Sequence, residues 1–370
     1  MNVKIKHRNI NLELLRILSM FMIIFLHSID HSGVSEKLVP GTMLYYYEYF
    51  SWAAVQVCVN CFVLISGYFL VQSHFRLNKI ISIWVEVVFY SLIIKGFLMV
   101  IGVIPVSAVS LASCFFPIIT GRYWFVTIYF GMYLLSPIYS VAAKALTKRQ
   151  YQYLLAVLFV LSSVMISIHP ALKGMNSGGG WGLAWFTVLF FTGAYFRLHY
   201  KRNGHWKKVA LVYIACPAVM LCILFLAQCL RMDLLISMAL NLWRYDSVPV
   251  VIASIAITMV FINIGELRNI KVNRFAIKVS STTFGVYLIH AHANVCTEFM
   301  WQKIGSVLLM KNWWYPLYQI LIVAAIFVVC SILELGRQYL FEKTNINKLI
   351  ENTMSGLNNY IRNYLEGEWK

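Results

Sequence analysis

Long apolar runs recur along this chain, and most of them are long enough to cross a lipid bilayer. A transmembrane helix needs roughly 20 mostly apolar residues. The candidate spans are 12–28, 52–71, 80–101, 123–143, 153–169, 181–196, 209–228, 248–264, 281–301 and 314–333. Charged residues make up only 12% of the chain, whereas soluble proteins carry about 25%. The sequence therefore predicts an all-α integral membrane protein, a bundle of about ten transmembrane helices.

The distribution of basic residues predicts how this bundle is oriented. With the N-terminus placed inside, 22 of the 31 Lys and Arg residues fall in inner segments and seven in outer loops. Cytoplasmic loops carry such an excess of positive charge. We therefore predict a multi-pass membrane protein with both termini in the cytoplasm. The net charge of +17 is explained by this bias, so we expect no nucleic-acid partner.

The chain is predicted to form one membrane domain with a tail. Residues 1–334 contain all the candidate spans, and residues 335–370 form a polar C-terminal tail with spaced apolar positions. Such a pattern is typical of a helix lying on the inner membrane surface. The apolar segment 109–120 is too short to span, so we expect it to be re-entrant or interfacial.

The first span carries Glu13, Arg16 and His27 within an apolar run. Arg16 and His27 are eleven residues apart, which puts them on one helix face with ~16 Å of rise between them. Glu13 is spaced to pair with Arg16. One interpretation is an interfacial anchor. The other is a cation near the inner mouth of a tunnel and a proton-transfer residue near its outer mouth. His27 and His31 have the spacing of a metal pair, but without a third ligand we expect no metal.

The second and third spans hold three more polar positions. Asn60 lies within the second span and is a candidate for the substrate pocket. Glu86 is deep in the third span and is a functional candidate. Lys95 is near the outer end of the same span, and we expect its side chain to reach the outer interface by snorkelling.

The later spans add four candidate pocket residues. Tyr123 and Trp124 open the fourth span, where aromatic residues are also typical interface anchors. Tyr287 and His290 lie in the ninth span. The alternative for His290 is a core histidine whose ring is satisfied by its neighbours.

Five motifs stand in order along the chain, at residues 11–16 with His27, 61–70, 75–80, 123–137 and 283–290. Together they resemble the signatures of the acyltransferase-3 family, which includes bacterial O-acetyltransferases of surface polysaccharides. The first is similar to that family's Arg-x10-His signature. The third occupies the position of a basic inner loop, but here it has only Arg76 and Lys79, fewer than the Arg-rich form of some members.

The resemblance implies an enzyme that moves an acyl group, acetyl by default, from cytoplasmic acyl-CoA to a hydroxyl of a surface polysaccharide or its lipid-linked precursor. It implies acyl-CoA as co-substrate, with no bound cofactor. His27 would be the general base or a transient acyl carrier, with Arg16 as the second catalytic residue. Arg76 and Lys79 would bind the donor. The implied substrate pocket comprises Glu13, Asn60, Tyr123, Trp124, Tyr287 and His290, with the N–H of Asn60 or Trp124 as an oxyanion donor.

Two other classes of protein fit an apolar chain with polar residues in its spans. A transporter or flippase for a lipid-linked sugar or a small polar solute would use these residues for passage. A structural membrane subunit would have no use for the ionisable residues of the first span, Glu13, Arg16 and His27. The ordered motifs and the absence of a clear inverted repeat favour the acyltransferase.

Overall fold

The computed structural model describes residues 9–168, 178–265 and 269–367. It is 80% helical and has no strand in these ranges, which confirms the all-α prediction. Helices suit a bilayer because each satisfies its own backbone hydrogen bonds. The helices are α1 (Ile10–His31), α2 (Met43–Val55), α3 (Cys58–Leu70), α4 (Leu77–Val100), α5 (Ala108–Ala112), α6 (Trp124–Ala145), α7 (Lys148–Phe159), α8 (Met165–Ile168), α9 (Leu183–Leu198), α10 (Trp206–Cys229), α11 (Asp233–Leu240), α12 (Val248–Asn263), α13 (Ile270–Ser280), α14 (Thr283–His290), α15 (Trp301–Ile304), α16 (Ser306–Leu309), α17 (Tyr315–Lys343) and α18 (Ile346–Gly367).

Eight helical segments in the described part of the chain are long and apolar enough to cross a membrane. They are Ile10–His31, Met43–Leu70, Leu77–Val100, Trp124–Ala145, Lys148–Ile168, Trp206–Cys229, Asp233–Asn263 and Tyr315–Lys343. Eight of the predicted spans fall on these segments. The other two fall on α9, which has only 16 residues, and on α14, which ends at His290. The count of ten and the cytoplasmic placement of the termini stay predictions.

Three local features differ from uninterrupted spans. A turn at residues 56–57 separates α2 from α3, and a π-helical turn, Val295–Met300, follows α14. Single π-turns are frequent at functional sites. The predicted segment 109–120 holds only the end of α5 and a 3-10 turn, Ser113–Phe115, so it does not span.

Helix α1 lies in the centre of the bundle. Its N-terminus is capped by the Asn9 side chain, which accepts a hydrogen bond from the Leu12 N–H at 3.4 Å. Along its length α1 contacts α2, α3, α12, α13, α14 and α17. The charged residues of the first span therefore project into the bundle, where ionisable groups in membrane proteins serve function.

The tail of the chain is helical. α17 runs through the predicted boundary between residues 334 and 335 and ends at Lys343. α18 then packs against α4 and α17. The Asn358 side chain accepts a 2.6 Å hydrogen bond from the Leu77 N–H, so α18 covers the start of α4 at the predicted inner end of the bundle.

Helices α3 and α9 approach each other closely through two glycines. A Cβ at Gly67 would overlap the backbone of Phe190, and one at Gly193 would overlap the backbone of Leu64. Small residues at membrane helix interfaces allow such backbone approach. Gly67 and Gly193 are therefore packing residues of this contact.

We expect Gly193→Val to destabilise the protein by about 1–3 kcal/mol, because the added methyl groups must separate α3 from α9. Gly96→Ala is the matched control, since no atom lies within 4 Å of the added Cβ and alanine favours a helix. The midpoint of thermal unfolding in detergent measures both variants. Equal midpoints for the two variants would contradict the close contact.

Candidate active site

Glu13 and Arg16 form an ion pair near the start of α1. Arg16 Nη1 lies 2.7 Å from Glu13 Oε2, and the Ser280 hydroxyl also donates to this carboxylate. Glu13 is buried, whereas 27% of the Arg16 side chain is exposed. The carboxylate therefore holds the guanidinium in place while leaving part of it open to a ligand.

His27 and His290 meet in the interior of the bundle, with ring centroids 5.1 Å apart. The Nδ1 atom of His290 lies 2.6 Å from the Val286 carbonyl oxygen. A carbonyl only accepts, so this nitrogen carries the proton and Nε2 is left as an acceptor. Within the described chain, His290 Nε2 and His27 Nδ1 are buried and have no hydrogen-bond partner. Buried polar atoms without partners are uncommon. These two nitrogens are therefore candidates to bind a ligand or to accept a proton.

The C-terminal end of α1, which the sequence predicts to be its outer end, is exposed at its last residues. The His27 ring is half-buried, and one turn later Asp30 and His31 are exposed. His31 lies 5.4 Å from His27 between ring centroids. Across the described residues no group of three or more His, Cys, Asp or Glu could hold a metal ion. The imidazole rings of His27 and His290 are side chains that can accept and return a proton.

Tyr287 and Tyr123 continue the cluster beyond His290. The Tyr287 ring lies 6.3 Å from His290 and 5.8 Å from Tyr123 between centroids. The Tyr123 hydroxyl donates to the Leu288 carbonyl oxygen at 2.8 Å, which ties the start of α6 to α14. The structure thus brings together His27, His290, Tyr287 and Tyr123 from three helices or their ends.

The Asn60 side chain forms three hydrogen bonds inside the bundle. Its amide nitrogen donates to the Tyr245 carbonyl at 2.8 Å and to the Ser254 hydroxyl at 3.1 Å. Its oxygen accepts from the Trp185 indole at 3.0 Å. Both amide hydrogens have protein acceptors, so in this arrangement Asn60 links α3, α9 and α12 and offers no donor to an oxyanion.

Trp124 lies in an aromatic cluster apart from the histidines. Its ring centroid is 4.4 Å from that of Trp181 and 6.3 Å from that of Tyr245. Trp181 is half exposed. Trp124 is therefore next to the pocket residue Tyr123 in sequence, but its ring contacts the cluster around Trp181.

Arg76 and Lys79 line a cavity of about 310 Å³ at the predicted inner end of the bundle. The cavity is lined by Leu70, Gln72, Ser73, His74, Arg76, Lys79 and Tyr133. Lys79 Nζ lies 5.0 Å from the centre of the Tyr133 ring, and the Tyr133 hydroxyl donates to the Arg76 carbonyl oxygen at 3.2 Å. Arg16 is not among the residues that line this cavity.

Arg197 is a third cation, next to the cavity-lining residue Gln72, that the sequence did not single out. Its Nε donates to the Gln72 side-chain oxygen at 2.7 Å, and its guanidinium carbon lies 5.2 Å from the centre of the Tyr68 ring. The sequence offered one signal, since Arg197 opens a predicted inner segment, 197–208, that carries five Lys and Arg residues. The basic residues of that segment contributed only to the predicted orientation of the bundle.

These features define a helical membrane protein with a histidine pair inside its bundle and a basic cavity at one end. The family model for the acyltransferase-3 domain, described as an acyltransferase domain, matches residues 9–335, nearly the whole chain. The chain therefore belongs to the acyltransferase-3 family, and it is a membrane acyltransferase. No curated protein and no solved structure matches the chain.

Proposed function

We propose that the protein transfers an acyl group, acetyl by default, from cytoplasmic acyl-CoA to a hydroxyl of a cell-surface polysaccharide or its lipid-linked precursor. The observation that supports this most is the pair of His27 and His290, 5.1 Å apart between ring centroids. Each ring keeps one buried nitrogen without a hydrogen-bond partner in the described chain. An acyl transfer to a hydroxyl needs such a proton acceptor.

In the proposed reaction His27 acts as the general base. It takes the proton of the acceptor hydroxyl while the hydroxyl oxygen attacks the thioester carbonyl carbon. The C–S bond then breaks, and the leaving CoA thiolate receives the proton from the imidazolium. His290 holds a second acceptor nitrogen beside this base, because its own proton is fixed on Nδ1 by Val286.

We assign donor binding to the basic cavity. The phosphates of CoA are anions. Arg76 and Lys79 line the cavity, and Arg197 donates a hydrogen bond to Gln72, which also lines it. Arginine forks suit phosphate oxygens because they bind them bidentately. From there the pantetheine arm would pass Arg16 and extend along α1 toward His27, a rise of ~16 Å.

The reaction is tested with purified protein in proteoliposomes and labelled acetyl-CoA. We expect label to move to the host's surface polysaccharide or its lipid-linked precursor, with release of one CoA for each acyl group. Acyl analysis of the polysaccharide from cells with and without the gene is the companion measurement. Movement of a glycan across the membrane without consumption of acetyl-CoA would favour a transporter and contradict the proposal.

Arg76→Gln and Arg197→Gln are each expected to raise the KM for acyl-CoA about 10-fold or more, because each removes one charge-assisted hydrogen bond to the donor. The change in kcat should be smaller, since neither residue reaches the histidine pair. Lys144→Gln is the control, because Lys144 is an exposed cation at the end of α6. An unchanged KM in both arginine variants would place the donor elsewhere.

A further inference from the structure

Two cations lie together at the predicted outer end of α4 and the start of α6. The Lys95 ammonium donates to the carbonyl and hydroxyl oxygens of Ser110. The Arg122 guanidinium donates to the Ser113 hydroxyl at 2.8 Å and the Cys114 sulfur at 3.4 Å. All of these acceptors are neutral. Among the described residues neither cation forms an ion pair with a carboxylate.

His292 lies beside these cations and is 1% exposed. Neither of its ring nitrogens has a hydrogen-bond partner in the part of the chain that the structure describes. Its ring centroid lies 6.0 Å from that of Tyr123, the residue that directly follows Arg122. A buried imidazole with two unused nitrogens points to a ligand that supplies an acceptor or a donor.

The position of Lys95 differs from the snorkelling expected from the sequence. The residue is 7% exposed, because the segment that holds α5 covers it and Ser110 accepts from its ammonium. The ammonium therefore does not lie among lipid headgroups. Two neighbouring cations repel each other, and an anion between them would offset that repulsion. Arg122 is half-buried, so the cluster is reachable.

Tyr123 connects this cluster to the histidine pair. The Tyr123 ring lies 6.0 Å from His292 and 5.8 Å from Tyr287 between centroids, and Tyr287 leads to His290 at 6.3 Å. A molecule bound by the cations would thus lie next to the proposed reaction centre. Its hydroxyl would approach from the side opposite to the basic donor cavity.

We propose that Lys95, Arg122 and His292 bind an anionic group, a phosphate or a carboxylate, of the acceptor molecule. This assignment rests on the proposed acyl transfer and narrows its acceptor to an acidic one. The anion has two chemical sources: the diphosphate of a lipid-linked glycan, or the carboxylate of an acidic sugar. Both cations would donate charge-assisted hydrogen bonds to the diphosphate or to the carboxylate.

Binding to the full-length protein in phosphatidylcholine nanodiscs, without donor, tests this site. The probes are farnesyl diphosphate against farnesol, and methyl glucuronide against methyl glucoside. We expect one anionic probe to bind at least 10-fold more tightly than its neutral partner. A diphosphate preference assigns the anion to a lipid carrier, and a glucuronide preference assigns it to an acidic sugar.

Lys95→Gln and Arg122→Gln should each remove most of this preference, whereas Lys95→Arg should keep it. Lys311→Gln is the control, an exposed cation of a predicted outer loop. The thermal unfolding midpoint of each variant verifies its fold, and Lys95→Gln serves if Arg122→Gln does not fold. The proposal is wrong if the wild-type protein prefers neither anionic probe, or if the preference survives in a folded glutamine variant.

Failure of this site and failure of the proposed function give different results. A wild-type protein that transfers acetyl groups but shows no anion preference overturns the anion site alone. A protein that binds the anionic probe through Lys95 and Arg122 but never consumes acyl-CoA overturns the acyl-transfer proposal. CoA binding to Lys95→Gln should match the wild type, because Lys95 is not among the residues that line the donor cavity.

Discussion

His27→Ala is expected to lower kcat for acyl transfer by about 10²–10⁴-fold, the usual contribution of a positioned general base. The alanine removes the ring nitrogen that would take the hydroxyl proton, and its methyl group cannot accept a proton. The KM for acyl-CoA should change little, because the proposed donor cavity lies at the other end of α1. Release of CoA from acetyl-CoA in the presence of the polysaccharide measures both parameters.

Two neighbouring histidines are the controls for this result. His31 is one turn further along α1 and exposed, so His31→Ala should cost less than about 10-fold. His290→Ala tests the partner ring, 5.1 Å away between centroids. Normal turnover in His27→Ala together with loss in His290→Ala would move the general base to His290. Normal turnover in both variants would remove the pair from the mechanism.

A rapid quench in denaturing detergent at neutral pH, which preserves an acid-labile acyl-imidazole, separates the two possible roles of His27 as general base and as transient acyl carrier. If His27 carries the acyl group, labelled protein accumulates when the acceptor is left out, and His27→Ala shows no label. If His27 is only a base, the wild-type protein stays unlabelled and the donor is not consumed without acceptor. Either result is compatible with a loss of transfer in His27→Ala, so this experiment decides the role of the ring.

The sequence predicted the elements of the site that lie on one helix. Glu13 and Arg16 are three residues apart, and helical spacing alone indicates their ion pair. The depth of Arg16 and His27 along α1 follows from ~1.5 Å of rise per residue, because the structure keeps α1 unbroken from Ile10 to His31. What a helix dictates locally could therefore be predicted with no tertiary information.

Contacts between distant segments could not be predicted in the same way. His27 and His290 are 263 residues apart, and periodicity does not say which helices adjoin. The breaks after Val55 and His290 were missed because the spans were predicted from the average hydropathy of about 20 residues, which does not detect a short turn. Lys95 was expected at the outer interface, because nothing in its sequence neighbourhood indicates that the segment with α5 covers it. The sequence also does not indicate that both amide hydrogens of Asn60 already have acceptors, because those acceptors come from distant segments.

A second large effect is expected at a buried ion cluster between α4 and α17. Arg337 Nε donates to Glu334 Oε2 at 2.9 Å, and its Nη2 lies 3.3 Å from Glu86 Oε1. The Tyr90 hydroxyl donates to Glu334 at 2.6 Å. Glu334 is 1% exposed, and its carboxylate lies against Gly285, where a Cβ would overlap it. Glu86, a functional candidate from the sequence, is thus part of an ion network with Arg337.

Arg337→Met should destabilise the protein by about 3–5 kcal/mol, because it leaves two buried carboxylates without their cation. Lys343→Gln, at the exposed end of the same helix, is the control and should change the unfolding midpoint little. Urea titration in mild detergent measures the free energy of unfolding.

A triple variant in which both carboxylates are also neutralised shows whether unpaired charge or altered packing causes the loss of stability in Arg337→Met. Adding Glu86→Gln and Glu334→Gln to Arg337→Met removes both unpaired charges while keeping the side-chain volumes close, and apolar or neutral replacements of a whole buried ion cluster are often tolerated. We therefore expect the triple variant to recover most of the stability that Arg337→Met loses. A triple variant less stable than Arg337→Met would show that the carboxylates stabilise the helix packing by themselves, through contacts such as the hydrogen bond from Tyr90 to Glu334. Equal stability of Arg337→Met and the wild type would show that the cluster contributes nothing to folding, because its ion pairs would then only balance the cost of burying the charges.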